Sequence, residues 1–179
     1  METEKFALAT QQLLDREAIR ECIFRYCRGI DRQDEKALRS AYWPDASDMH
    51  GPFNGSATAF IDYALARLRS SDRSVHHVTN MSVTLAGTQA AAETYWLALQ
   101  REPDAAGTLK EVFMSGRYID RFEKRGDEWR IAARTVMYDW MRPLGTPQGT
   151  ERERMGPRVP NGSNYPHDPV YALFASLGM

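Results

Sequence analysis

The sequence predicts an α+β fold in which three helices precede an antiparallel sheet, and three observations carry that expectation. Up to about residue 69, apolar residues recur at steps of three and four, the period of a helix face. From residue 74 the period drops to two, the period of a strand. Short turn signals cut that second stretch into four runs, the pattern of a meander. Helices gathered ahead of a sheet, and not alternating with its strands, define the α+β class.

The first helix is predicted over residues 13–31. Ile19, Cys22, Ile23, Tyr26, Cys27 and Ile30 share one face; Asp15 is a cap or first-turn acid, and Gly29 lies near the end. A second helix is predicted over 34–42 with Leu38, Ala41 and Tyr42 inward, ended by Trp43-Pro44-Asp45 because proline disfavours a helical residue before it. A short strand over 46–50 and a turn over 51–55 follow. The third helix is expected over 56–69, capped by Ser56, with Phe60, Ala64, Leu65 and Leu68 inward. The four strands are expected over 74–86, 89–101, 110–124 and 128–140, separated by turns containing Gly87, Gly107 and Gly126.

Beyond Trp140 the composition changes. Residues 142–169 hold six of the nine prolines, and an apolar stretch over 170–177 predicts a short terminal helix. Residues 1–142 are therefore expected to form one α+β domain, and residues 143–179 a Pro/Gly-rich C-terminal arm that docks on its own core or on a neighbour.

Composition narrows the function classes. The chain of 179 residues is long enough to bury one core without staples, and its 42% apolar and 26% charged residues are ordinary for a globular protein. A net charge of −1 gives no general attraction to nucleic acid or an anionic membrane. No apolar run reaches the ~18 residues of a spanning helix. The N-terminus lacks the basic-then-apolar pattern of a secretory signal. Cys22 and Cys27 are five apart on one helix and point in different directions, so they read as reduced, buried side chains. These features predict a cytoplasmic protein. There is no GxGxxG, phosphate loop, GxSxG or HExxH, and Asp48-Met49-His50 lacks further ligands at metal-site spacing. No cofactor or metal is expected, and His50 is assigned to the mouth of a pocket.

Candidate chemistry lies in two segments about 45 residues apart. Asp31 flanks the apolar face of the first helix, where a carboxylate needs a partner. His76 and His77 open the first long strand and point to opposite faces, so at most one enters a given cavity. Alternation does not choose between them. Tyr26 lies within the helix's apolar face, where core packing would equally explain it. Arg134 shares a strand row with Val136, Tyr138 and Trp140.

In order and spacing, Ile30-Asp31-Arg32-Gln33-Asp34, Tyr42-Trp43-Pro44-Asp45-Ala46, His50-Gly51-Pro52-Phe53, Val75-His76-His77-Val78-Thr79-Asn80, residues 116–123, Trp129-Arg130-Ile131 and Arg134-Thr135-Val136 resemble the SnoaL-like family of the nuclear transport factor 2-like superfamily. The resemblance spans roughly residues 10 to 142. It implies a cone-shaped, cystatin-like fold: a strongly curved antiparallel sheet around a pocket closed by three helices. In the lyase branch of the family, which includes scytalone dehydratase, hexachlorocyclohexane dehydrochlorinase and bile acid 7α-dehydratase, an Asp–His pair moves the proton. Asp31 matches that aspartate, His76 the histidine, Tyr26 a polar position five residues before the aspartate, and Arg134 an arginine of the last strand. The chain departs from scytalone dehydratase at Ile30, where that enzyme has tyrosine.

The resemblance implies a cofactor-independent lyase for aromatic-compound catabolism, acting on a hydrophobic cyclic, aromatic or steroid-like small molecule by a dehydratase-type or aldehyde-releasing elimination. His76, Asp31 and Tyr26 would be catalytic. Arg134, Trp43, Tyr42, His50, Phe113 and Tyr138 would bind substrate, with Phe24, Tyr95, Met114, Met137 and Trp140 adding to an aromatic lining. The same superfamily holds dioxygenase small subunits, ligand carriers, ketosteroid isomerases and polyketide cyclases, which are the alternatives. A homo-oligomer is expected, a trimer ahead of a dimer, with no nucleic-acid or membrane partner.

Overall fold

The computed structural model describes residues 1–71, 73–157 and 159–178. Helix α1 spans Glu2–Asp31, α2 Glu35–Ser40 and α3 Ala57–Leu68. Strands β1 (Tyr42–His50) and β2 (Phe53–Ser56) lie between α2 and α3. Strands β3 (Arg73–Ala86), β4 (Gln89–Pro103), β5 (Leu109–Arg125) and β6 (Glu128–Gly145) follow, then the short helices α4 (Glu151–Met155) and α5 (Pro169–Ser176).

Helix α1 starts earlier than its apolar face requires. Its first turns are exposed, and only Ile19 through Ile30 pack inward. The extension is helical because Ala7, Leu8, Ala9 and Leu13 are strong helix formers and Glu2 and Glu4 suit the positive end of the dipole. At its other end Gln33 adopts a left-handed conformation (φ 53°), Asp34 caps α2 by accepting the Ala37 N–H at 3.0 Å, and the Gln33 amide donates to the Leu68 carbonyl at 2.8 Å. Gly29 makes the tight α1–α2 approach workable, since a Cβ there would lie 2.7 Å from Leu38.

The sheet order is β2-β1-β6-β5-β4-β3. The long strands form the expected antiparallel meander, from Arg73↔Arg101 through Ala86↔Gln89 and on to β6. Strand β1, however, begins at Tyr42 and runs parallel to β6, so the sheet is mixed. The sequence pattern predicts a helix end at Tyr42 and a turn over 51–55; instead β1 begins at Tyr42, and β1 and β2 form a hairpin through the latter segment. Register shifts at Val78/Met81, Ser115/Gly116 and Arg121/Phe122 bend the strands, and the sheet curves without closing.

Alternation assigns the two faces. Ala92, Thr94, Trp96 and Ala98 of β4 and Met114, Tyr118, Asp120 and Phe122 of β5 are buried beneath α1 and α3. Tyr95, Leu97, Leu99, Ile119 and Trp140 are exposed on the outer face. The arm docks on its own chain: the Tyr165 N–H donates to the Arg32 carbonyl at 2.7 Å, Asp168 pairs with Arg32, and the Arg28 guanidinium lies 5.0 Å over the Phe174 ring. No helix among the described residues is long and apolar enough to cross a membrane.

Candidate active site

A cavity of about 480 Å³ opens between the concave face of the sheet and helices α1 and α3. Its size is that of a small-molecule site. Tyr26 and Ile30 of α1, Phe60 and Tyr63 of α3, and Trp96, Met114, Tyr118, Val136 and Tyr138 of the sheet give it an apolar wall rich in aromatic rings. Arg67 and Glu102 supply charge to the same wall and pair with each other at 3.0 Å.

Asp31 and His76 meet beside this cavity. The last turn of α1 sets the carboxylate against the start of β3, where its Oδ2 accepts the His76 backbone N–H at 2.7 Å and its Oδ1 lies 2.6 Å from His76 Nδ1. The Ser74 hydroxyl donates more weakly to the same Oδ1, at 3.4 Å. Both side chains are about nine-tenths buried, and the His76 ring lines the cavity. With Nδ1 engaged, Nε2 is the ring atom left for a ligand. His77 points outward and is exposed. Cross-strand register explains the choice: His76 lies opposite Ala98, Ala98 opposite Met114 and Met114 opposite Met141, a row on the cavity side.

Tyr26 also lines the cavity. Its ring meets Tyr42 and Tyr118 edge-on at 5.9 and 5.5 Å. Burial holds its phenol far above the usual range, and the nearby Arg134 cation offsets only part of that rise.

Four of the expected substrate-binding residues stand elsewhere. Arg134 lies beneath the cavity floor and not in it. Its side chain is wholly buried, donating from Nε and Nη2 to Asp120 at 2.7 Å each, with its guanidinium 4.1 Å from the ring centroids of both Tyr26 and Tyr118. Burial works against the charge, but the Asp120 carboxylate outweighs it and keeps Arg134 cationic. Tyr42 is a core residue whose hydroxyl donates to Asp48 at 2.5 Å. Trp43 faces away, with the Arg125 and Arg130 guanidiniums each 4.8 Å from its ring. Phe113 lies opposite Leu99 on the outer face. Of the additional lining residues, Met114 is in the wall, whereas Phe24, Tyr95, Met137 and Trp140 are exposed. Trp140 is turned out by the irregularity that pairs it with Ser115 while Tyr138 pairs with Gly116.

His50 and Tyr138 do line the cavity. The His50 ring stacks on Phe60 at 4.5 Å and meets Tyr138 edge-on at 6.1 Å. Sequence reading missed Trp96, Tyr118, Tyr63 and Arg67 as wall residues and Asp120 as the partner of Arg134. Alternation along β4 and β5 carried a signal for Trp96 and Tyr118, but nothing local marks Asp120. Among the described residues no group of three His, Cys, Asp or Glu side chains is placed to hold a metal ion.

Residues 11–135 match the family model described as the SnoaL-like domain. Among curated proteins none matches the sequence. Among solved structures, a type 2 hexachlorocyclohexane dehydrochlorinase superposes with a TM-score of 0.70 at 18% identity, covering 79% of this chain and 97% of that one. A scytalone dehydratase-like protein of Novosphingobium aromaticivorans gives a TM-score of 0.67 at 18% identity, covering 79% and 98%. A protein of unknown function with a cystatin-like fold, from Nostoc punctiforme, gives 0.58 at 17% identity, covering 70% and 92%. At these identities the likeness is one of fold.

Proposed function

Because the chain belongs to the SnoaL-like family, we propose that it is a cofactor-independent lyase that eliminates a leaving group from a hydrophobic cyclic small molecule. The observation that carries this reading is the 2.6 Å contact between Asp31 and His76 at the edge of an aromatic cavity. His76 Nε2 removes an acidic C–H proton, and Asp31 holds the tautomer and stabilises the imidazolium that forms. Tyr26 donates a hydrogen bond to oxygen charge that develops on the substrate. Arg134 acts from beneath, as a fixed cation against the Tyr26 ring.

The aromatic wall favours an aromatic, polyketide-like or steroid-like ring system. Related solved folds whose names denote a dehydrochlorinase and a dehydratase-like protein are in keeping with elimination chemistry. Assembly of like chains belongs to the same reading, since Tyr95, Leu97, Leu99 and Trp140 leave an apolar outer sheet face in water. Light scattering reports a homo-oligomer if that face is covered by copies of the chain.

The test is a mass-shift screen of cyclic alcohols and aromatic diols, comparing wild type with His76→Ala. Elimination appears as a product lighter by one water, formed by wild type and nearly lost in the variant. A product of unchanged mass would indicate isomerisation, binding without change a carrier, and full turnover by His76→Ala a base elsewhere.

A further inference from the structure

We propose that Asp48 and His50 form a second acid–base pair in the cavity, which protonates a departing hydroxyl and so commits the site to an oxygen leaving group. The inference rests on the elimination reading above and names the substrate class for it: a cyclic carbonyl compound with a hydroxyl on the β-carbon.

The two residues sit two apart on β1, so their side chains share a face. Register puts that face on the concave side, with Asp48 beside Arg134 and His50 beside Val136. In the sheet order β3 is one edge and β1 is next to the other. His76 and His50 therefore enter the cavity from opposite ends of a curved sheet, each with a carboxylate behind it.

Hydrogen bonding around this pair is incomplete in a complementary way. Asp48 is buried, and its Oδ2 is taken by the Tyr42 hydroxyl. Its Oδ1 is buried with no partner, and so is His50 Nδ1. These two atoms face each other at 3.6 Å, about 0.8 Å beyond a charge-assisted bond of ~2.8 Å. Leaving both unmade is costly, and an Nδ1–H on His50 donating to Asp48 Oδ1 satisfies both with a small ring movement. The stack on Phe60 steers the ring, and Nε2 remains for the ligand. The other titratable groups of the wall near His50 are Tyr63 and Arg67 on α3, Glu102 on β4 and Tyr138 on β6, with Tyr42 and the Asp120–Arg134 pair behind Asp48.

Leaving-group chemistry gives this pair its role. A halide departs as a stable anion and needs no acid, whereas a hydroxyl leaves readily only as water. One Asp–His pair suffices for the base. Tyr26, held neutral by burial, donates a hydrogen bond but does not release its proton. An imidazolium carries a ring proton that it can transfer. In the step, His76 takes the α-proton, and the C–H electrons form the new C=C bond. The C–O bond breaks with its electron pair on oxygen, which takes the Nε2 proton of His50 and leaves as water. His76 then returns one proton to solvent, and His50 regains one. His50 would be a catalytic residue and Asp48 a positioning residue.

The experiment uses 3-hydroxycyclohexanone and 3-chlorocyclohexanone, which lose water and hydrogen chloride to give the same enone. His50→Gln is expected to lower the hydroxy compound's rate by about 10²-fold or more. The ratio of hydroxy to chloro rates should fall at least tenfold, with Asp48→Asn moving it the same way. Equal losses on both compounds would overturn the proposal. Turnover of neither by wild type would remove the elimination reading and this inference with it. Imidazole ring NMR of the free protein at a single pH decides the pair independently of turnover. Asp48→Asn should shift the His50 ring signals while leaving those of His76 in place, and unmoved His50 signals overturn the pairing.

Discussion

Asp31 holds His76 at two points, the backbone N–H through Oδ2 and the ring Nδ1 through Oδ1. One carboxylate thus ties the end of α1 to the start of β3 and orients the imidazole at the same time. The two duties can be separated. Asp31→Ala leaves the His76 N–H without its partner and should lower unfolding free energy by about 1–3 kcal/mol. His76→Ala keeps the backbone bond and should cost less stability. Both variants should lose about 10²–10⁴-fold in turnover. Urea unfolding alongside rate measurement checks this, and equal stability losses would contradict it.

Arg134 and Asp120 are a wholly buried ion pair on adjacent strands, under the ring of Tyr26. Arg134→Met alone should destabilise by roughly 3–5 kcal/mol, because it strands a buried carboxylate. Joint replacement with Asp120→Leu should recover much of that loss. Urea unfolding of the two single variants and the double variant measures the coupling. A single-variant cost of under about 1 kcal/mol would show the pair to be unimportant.

Gly116 lies where β5 passes close to the backbone of β6. A Cβ at this position would lie 1.9 Å from the Met137 carbonyl oxygen and 2.7 Å from the Trp96 ring. The backbone contact cannot be relieved by a rotamer change, so Gly116→Ala should cost at least the ~1–3 kcal/mol of an overpacked core. It should also displace Trp96 from the cavity wall. Thermal melts and tryptophan fluorescence report both effects.

Asp15 fastens α1 to the sheet, accepting from Trp129 Nε1 at 2.8 Å and Lys124 Nζ at 2.9 Å. Burial raises its pKa, but the hydrogen bonds from Trp129, Lys124 and Gln11 outweigh that, and the carboxyl sits below its ordinary value. A depressed folded pKa binds fewer protons in the native state. Its stabilisation is therefore complete above the unfolded value of about 3.9 and is lost as pH falls through the lower folded one. Asp15→Asn should flatten the stability profile in that acid window, as measured by urea midpoints against pH.

Cys22 and Cys27 are buried, and burial pushes their thiols up to about 11 and about 12. Thiolate is the reactive form, so both should resist iodoacetamide in the native protein at neutral pH and react on unfolding. Mass spectrometry of alkylated protein reads this directly. Rapid native labelling of either would show that the α1 packing opens.

Much of this architecture is local, and local patterns were legible in the sequence. The spacing from Ile19 to Ile30 marks the buried face of α1, and period two marks β3 to β6. The resemblance of the Asp31 and His76 segments to one family located the candidate site. Three things depended on tertiary structure. Alternation put His76 and His77 on opposite faces and left the choice open; the resemblance named His76, and pairing with Ala98 is what turns its face to the cavity. Arg134 lay on an inward row, yet whether it entered the cavity or lay under it depended on sheet curvature and on Asp120 across the strand gap. The parallel seat of β1 beside β6, which brings Asp48 and His50 to the site, is a long-range pairing that no neighbouring residue announces. The physical reason is the same throughout. Periodicity records which way a side chain points from its own element, whereas register, bulges and burial depth arise only when distant elements pack together.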